Sequence, residues 1–581
     1  MPSRPTLPLA CALSLWTVLA SFDPALADTA KPAAATEIAD TAGAYLAARQ
    51  AASTHDFTEA AKWYDRALPA DPANPTLLEG DVTAYLAIGN VTLAAEKARL
   101  LTATGSKSQI AFLAIVAADA RAGDFVTILK NQKAGDSIGV LVDGLVTAWA
   151  EVGTGKMSEA LDDFDTIIKT PGMAAFGTYH KALALASTGD FEGADKLLSG
   201  PDGDAITQLR RGMIARVEIL SQLERNSDAV ALIDKTFGTQ MDAGMADLRK
   251  RLAAGEPIAF DAARNATDGL AEVFFTIATA VGDQADDTYT LLYARVAAAL
   301  RPHHVEAQLM SARILQKLGQ FDLASAAFAT IPPTDAAYVS AIVGQAESAI
   351  SSDRLGDAVT LLQTLATQRP TDLDVQVALG DALHRQDHCD LAIKAYDAAI
   401  VILGPPAPNN WPLYYKRANC QNTAGNWSAA EADYKLALKL DPTEPRLLNE
   451  LGYSYVDRGE NLDEALKMIQ QAVAISPDTG YIVDSLAWAY FRLGRYQDAV
   501  VPMEKASLLM PVDPIVTDHL GDVYWSVGRK REAQFQWHRA LSYKPEDKDA
   551  TRIRHKLDVG LDQVLQEEKA APPVATGTNG G

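Results

Sequence analysis

Three consecutive stretches of this chain superpose on one another. LLNELGYSYVDRGENLDEALKMIQQAVAISP (447–477), IVDSLAWAYFRLGRYQDAVVPMEKASLLMP (482–511) and IVTDHLGDVYWSVGRKREAQFQWHRALSYKP (515–545) repeat with a period of 34–35 residues. Leu451, Leu486 and Leu520 coincide, as do Gly452, Ala487 and Gly521, and the aromatics Tyr455, Tyr490 and Tyr524. Gly459, Gly494 and Gly528 follow, then Ala465, Ala499 and Ala533, then Ala472, Ala506 and Ala540, and last Pro477, Pro511 and Pro545. A unit this short cannot bury its apolar side alone, so it must stack on its neighbour and share a continuous core. Small residues let two helices approach, larger ones fill the space between them, and Pro ends the second helix.

This set resembles the tetratricopeptide repeat (TPR), whose L-G-x-x-Y…A…F…A…P pattern it follows. The resemblance implies an all-α superhelical solenoid of helical hairpins. The pattern continues upstream at Ala430, Tyr434, Ala437 and Pro442, at Ala392, Tyr396 and Ala399, and in RLGDAVTLLQTLATQRP (354–370) and GQFDLASAAF (319–328). HDFTEAAKWYDRALPADP (55–72) reads as a second helix near the N-terminus, with GNVTLAAEKA, GKMSEALDDF and GDFEGADKLL at compatible spacing after it. The spacing predicts about eleven or twelve hairpins. Degenerate ones occupy 38–237, a C-terminal array 289–545, and a capping helix 546–568 closes the last apolar face. Residues 238–288 do not register with the repeat and are expected to be irregular, a break where the solenoid changes pitch. An Ala/Lys/Pro linker is expected over 28–37 and a disordered tail over 569–581.

The N-terminus reads as an export leader: Arg4, the apolar run LPLACALSLWTVLA (7–20), then Ala25-Leu26-Ala27 as a cleavage site. At about 14 residues the run is short for a bilayer, which needs about 20. Cys11 lies inside the run and forms no convincing lipobox. The expectation is a periplasmic chain that starts at Asp28 and has no integral membrane segment. The net charge of −22 disfavours nucleic acid, whose affinity comes from Lys and Arg displacing counterions. Only Cys389 and Cys420 remain after the leader. They sit in neighbouring antiparallel helices of an exported chain and are a candidate disulfide.

Catalytic motifs do not find their context. GDSIG (135–139) matches a nucleophile elbow, but no strand pattern precedes it. GTGKMS (153–158) lacks the first Gly and the hydroxyl residue of a phosphate loop. His384, His388 and Cys389 have metal-compatible spacing, yet they fit ordinary repeat positions and lack a third or fourth convergent ligand. No catalytic set, metal or cofactor is expected.

In TPR proteins the first helix of each hairpin lines a concave groove, mainly through its positions two, five, nine, twelve and thirteen. The resemblance therefore implies a protein-binding groove here. The 480–511 hairpin contributes Tyr481, Asp484, Trp488, Phe491 and Arg492, while Tyr490 and Tyr496 fall on packed positions. The 445–477 hairpin contributes Arg446, Asn449, Tyr453 and Asp457, the 514–545 hairpin Asp518, Asp522 and Trp525, and the preceding repeat Tyr415 and Asn419. Tyr, Trp and Arg are the residue types enriched at interface hot spots. The alternative for Trp488 and Trp525 is that they tuck against the adjacent first helix and cover the core. From Arg529 to Lys556 nine Lys/Arg stand against four Asp/Glu, which is either a solvated, dipole-compensating face or a docking edge for an acidic partner.

ELGYSYVDRGENLDEAL, GYIVDSLAWAYFRLGRYQDA and DHLGDVYWSVGRKREA resemble exported bacterial TPR proteins. Among these are outer-membrane lipoproteins that deliver cell-wall hydrolases to a carboxy-terminal processing protease. The resemblance implies a scaffold or adaptor for protein partners such as a periplasmic protease or cell-wall hydrolase. The alternative is a structural component of an envelope or polysaccharide-export machine.

Overall fold

The computed structural model describes residues 33–238, 241–282 and 284–570. The expected leader (1–27), the start of the linker and residues 571–581 of the tail lie outside the described residues. Every regular element among those described is a helix, as the repeat predicts. None of these helices is long and apolar enough to cross a membrane. The chain divides into two compact units after Ile115.

In the first unit, the Ala33–Ser53 helix already includes residues 33–37, so the expected linker is shorter than 28–37. The second helix expected near the N-terminus is Phe57–Ala67, where Asp56 accepts the Glu59 N–H at 3.1 Å. Asn74 caps the Pro75–Ala87 helix in the same way. A side-chain acceptor at the N-cap satisfies N–H groups that the helix itself leaves unpaired.

The second unit shows why the repeat positions are what they are. Ala465, Ala499, Ala533, Ala472, Ala506 and Ala540 are all fully buried, where nothing larger would let the helices approach. The rings of Tyr455 and Tyr524 are buried, and their hydroxyls reach back to the preceding hairpin, donating to Glu431 at 2.7 Å and Glu504 at 2.8 Å. Tyr490 accepts from Gln470 at 3.1 Å in the equivalent place. Gly459, Gly494 and Gly528 turn the chain between helices with φ of 70°, 73° and 86°, a region that favours glycine. Asp353 and Asp387 take the same turn at φ 60°, since Asp tolerates it better than most residues. Hairpins lacking these landmarks, such as Ala266–Val281 with Asp287–Leu300, raise the number above the eleven or twelve expected.

Two expectations are corrected. Residues 238–288 are not irregular: they hold the Ala243–Ala253 helix, a connecting segment, and the long Ala266–Val281 helix. The latter packs on Val140–Gly153 and Ala174–Ser187, far back in the sequence. It carries Glu272, fully buried between Tyr179, Arg211 and His304. The cap is likewise two helices, Asp547–Val559 and Leu561–Ala570. Gly560 separates them at φ 84°, and a Cβ there would press on the Trp525 ring.

Candidate functional site

The first helices of the C-terminal array, Trp411–Thr423, Pro445–Arg458, Gly480–Arg492 and Pro514–Ser526, carry every residue assigned to the groove. The structure sorts those residues into two groups. Arg446, Tyr481 and Arg492 are exposed, and Tyr415, Asn419, Tyr453, Asp457 and Trp525 are half-buried. Asn449, Asp484, Trp488, Phe491, Asp518 and Asp522 are buried and cannot meet a partner in this conformation.

The reason is the next helix along. Trp488 stacks on His519 of the following hairpin, with ring centroids 3.9 Å apart and planes 14° apart, and on Phe491 at 4.7 Å and 8°. His519 Nδ1 lies 3.1 Å from both carboxylate oxygens of Asp484. This column fills the seam between two first helices, as the packed alternative for Trp488 describes. Tyr496, expected to pack, is 37% exposed, while Tyr490 is half-buried with the Arg495 guanidinium 4.6 Å from its ring centre. Asp518 and Asp522 are covered by the cap, whose fully buried Lys556 ammonium lies 2.7–2.8 Å from all four of their carboxylate oxygens. Trp525 donates from Nε1 to Asp562 of the second cap helix at 3.0 Å. Part of the basic 529–556 run thus neutralises buried carboxylates of this same chain.

What stays open is a patch over 411–492. Arg446 donates to Glu444 at 2.7 Å and lies 5.2 Å from the centre of the Trp411 ring, which meets Tyr415 edge-on at 6.2 Å. Arg492 donates to the Asp457 carbonyl at 3.1 Å, joining two hairpins. Between these lies Glu450, which the groove positions do not include. Burial pushes its carboxyl up to about 7. Burial also raises the hydroxyls of Tyr415, Tyr453 and Tyr481, and the charge on Glu450 adds to each shift. No cation among the described residues pairs with Glu450. The signal that could have found it is its place beside Asn449, a carboxylate among tyrosines of three successive first helices.

Glu450 yields a prediction. A carboxyl whose folded pKa is raised favours the fold when protonated, and that advantage is lost as pH rises from its unfolded value near 4.5 through about 7. Glu450→Gln therefore leaves stability unchanged near pH 4 and raises it by about 1–3 kcal/mol at pH 8. Urea unfolding at both pH values checks this, and an equal effect at both would show that Glu450 is already paired.

The remaining motifs are local structure. Ser137 of GDSIG donates to Asp143 at 2.5 Å, and Asp143 also accepts the Ile138 N–H at 2.8 Å, tying the loop to the Val140–Gly153 helix. Lys156 of GTGKMS occupies the N-cap of the Met157–Lys169 helix. Cys389 and Cys420 are buried free thiols. His388 is exposed at a helix N-cap.

Tetratricopeptide repeat models match residues 343–410 and 410–544, the part of the chain that holds the stacked hairpins and the open patch. Over these residues the chain carries tetratricopeptide repeats. It is similar to TPR repeat-containing protein PA4667 of Pseudomonas aeruginosa, 26% identical over 164 residues, which are 28% of this chain and 27% of that one. It is also similar to Superkiller complex protein 3 of Mus musculus, 38% identical over 77 residues, 13% of this chain and 5% of that one. The chain thus spans about a quarter and a twentieth of the length of these curated relatives. Among solved structures it is similar to the APC/C hetero-tetramer Cut9-Hcn1, at 16% identity and a TM-score of 0.38, covering 91% of this chain and 98% of that chain. TTC0263, a thermophilic TPR protein of Thermus thermophilus, is 22% identical with a TM-score of 0.28, covering 33% of this chain and 99% of that one. TPR repeats are protein-interaction scaffolds.

Proposed function

We propose that this TPR protein is an exported scaffold that docks a partner segment bearing a basic side chain on the open patch over 411–492. The observation that carries the reading is Glu450: a half-buried carboxylate that pairs with no cation among the described residues, among Tyr415, Tyr453 and Tyr481, with Arg446 beside them. A Lys or Arg of the partner would pair with Glu450 and lie against the tyrosine faces, contacts that gain strength away from water. The sequence resemblance to exported adaptors supports a periplasmic protease or cell-wall hydrolase as the partner, and the leader pattern supports export with cleavage after Ala27.

The test is crosslinking in the periplasm with wild type and with Glu450→Gln/Tyr481→Ala, identifying captured proteins and the bait's N-terminus by mass spectrometry. Removing two hot-spot side chains is expected to weaken capture by about 30-fold or more, with helicity unchanged. The expected bait starts at Asp28. A partner captured equally by both forms removes the patch from the proposal, and a bait retained in the cytoplasm removes export.

A further inference from the structure

Outside this patch, three potential ligands converge where two hairpins meet. His384 ends the Leu373–Arg385 helix, Cys389 begins the Cys389–Leu403 helix, and Cys420 comes from the Trp411–Thr423 helix of the next hairpin. One imidazole nitrogen and the two sulfurs lie within 4.8 Å of one another. Both cysteines are buried and His384 is half-buried. From these positions we propose that His384, Cys389 and Cys420 form a zinc(II) site.

Zinc takes thiolate and imidazole ligands at about 2.3 Å and 2.0–2.1 Å, which sets tetrahedral sulfur–sulfur separations of about 3.8 Å. Reaching that from 4.8 Å or less asks for about 1 Å of closure, which side-chain rotation supplies. Charge also fits. Each thiol releases its proton to solvent on ligation, and two thiolates balance a divalent cation, so a neutral centre replaces the charges that burial would penalise. The nearby Asp381 is already engaged, accepting from Tyr396 at 2.8 Å and from Lys416 at 2.6 Å, so the ligand set is one nitrogen and two sulfurs. Three protein ligands leave the fourth position to water, which the half-exposed His384 edge admits. The ion would tie three successive helices together. The sequence pattern around 384–389 suggested His388 in this role, but His388 points to solvent and the third ligand comes from a hairpin later.

The test titrates the full chain, reduced and held without oxygen, with zinc alone against a chromophoric chelator. One ion per chain is expected. Cys389→Ser and Cys420→Ser should each lower affinity at least 100-fold, and His384→Gln at least tenfold, with helicity unchanged by circular dichroism. Cobalt in place of zinc should show thiolate-to-metal charge transfer in wild type and lose it in both serine variants. Because His384 lies at a half-exposed helix end, His384→Gln remains informative if the serine variants unfold, and undiminished affinity there overturns the site. So does zinc binding that survives Cys389→Ser/Cys420→Ser together. A chain isolated without titratable thiols whose reduced form takes up no zinc makes the pair a disulfide and overturns the site as well.

Discussion

Glu272→Gln is expected to destabilise the second unit by about 3–5 kcal/mol at neutral pH, the range for removing one partner from a buried ionic network. Glu272 is fully buried on the Ala266–Val281 helix. Burial alone would push its carboxyl up, but the Arg211 guanidinium and the His304 imidazole overcome that and hold it far below the usual carboxylate range. Arg211 donates from Nε to both oxygens at 2.9 and 3.1 Å, His304 Nε2 stands 3.2 Å from Oε1, and the Tyr179 hydroxyl donates at 3.2 Å. The amide keeps the shape and removes the charge, leaving the buried Arg211 guanidinium with only the more distant Glu306 carboxylate, 3.9 Å away. The two shifts set the pH profile. A depressed carboxyl contributes stability that is present above its unfolded value near 4.5 and lost as pH falls through the folded one. Burial lowers the His304 pKa and Glu272 more than offsets it, so the net shift is upward. A raised imidazole contributes stability that is fully present below about 6.5 and lost as pH rises. The gap between wild type and variant is therefore largest between about pH 4.5 and 6.5 and narrows on either side. Urea unfolding from pH 4 to 8 measures it, with hydrogen exchange over 174–187 and 266–281 locating the loss. A gap that does not change with pH would mean that His304 takes no part.

The distance over which a residue is packed decides how much of it could be read. The alanines at 465, 472, 499, 506, 533 and 540 and the ring of Tyr455 meet helices of their own or the neighbouring hairpin, so a period of 34–35 residues places them correctly. Position along a first helix gives the direction of a side chain around that helix but not what the next element lays over it. Trp488 and Asp484 carry groove positions, yet His519, more than 30 residues on, closes them in. The helix at 266–281 was unreadable for a stronger reason. Besides its partner Asp287–Leu300 it packs on Val140–Gly153 and Ala174–Ser187, contacts that skip several repeats, and no local period records a contact of that range. Glu450 is hidden differently: burial raises its pKa, and the tyrosines that feel its charge stand on three separate helices, so only their assembly makes it unusual.

Lys556→Met should cost about 3–5 kcal/mol and act on the end of the array alone. Lys556 is fully buried and within 2.8 Å of the oxygens of Asp518 and Asp522, while Arg552, the remaining cation, stands 3.8 and 3.5 Å from them. Asp522 further accepts the Trp537 Nε1–H at 3.0 Å, so the two carboxylates are fixed inside the last hairpin. Methionine preserves the apolar stem and deletes the charge, leaving two like charges side by side in a low-dielectric site. In a solenoid each hairpin touches only its neighbours, so loss of the cap propagates inward by one interface at a time. Hydrogen exchange should therefore accelerate over 514–570 and stay at wild-type rates over 343–440. Burial raises the Asp518 pKa, and Lys556 opposes that. Without the ammonium the rise grows, so the stability difference between wild type and variant widens from pH 5 to pH 8. Adding Asp518→Asn and Asp522→Asn to Lys556→Met removes the unpaired charges and should restore most of the lost stability. Recovery of that kind would show that the lysine neutralises the array's own carboxylates, which a partner-docking edge would not require; no recovery would mean that the hydrogen bonds donated by the ammonium, and not relief of carboxylate repulsion, hold the cap.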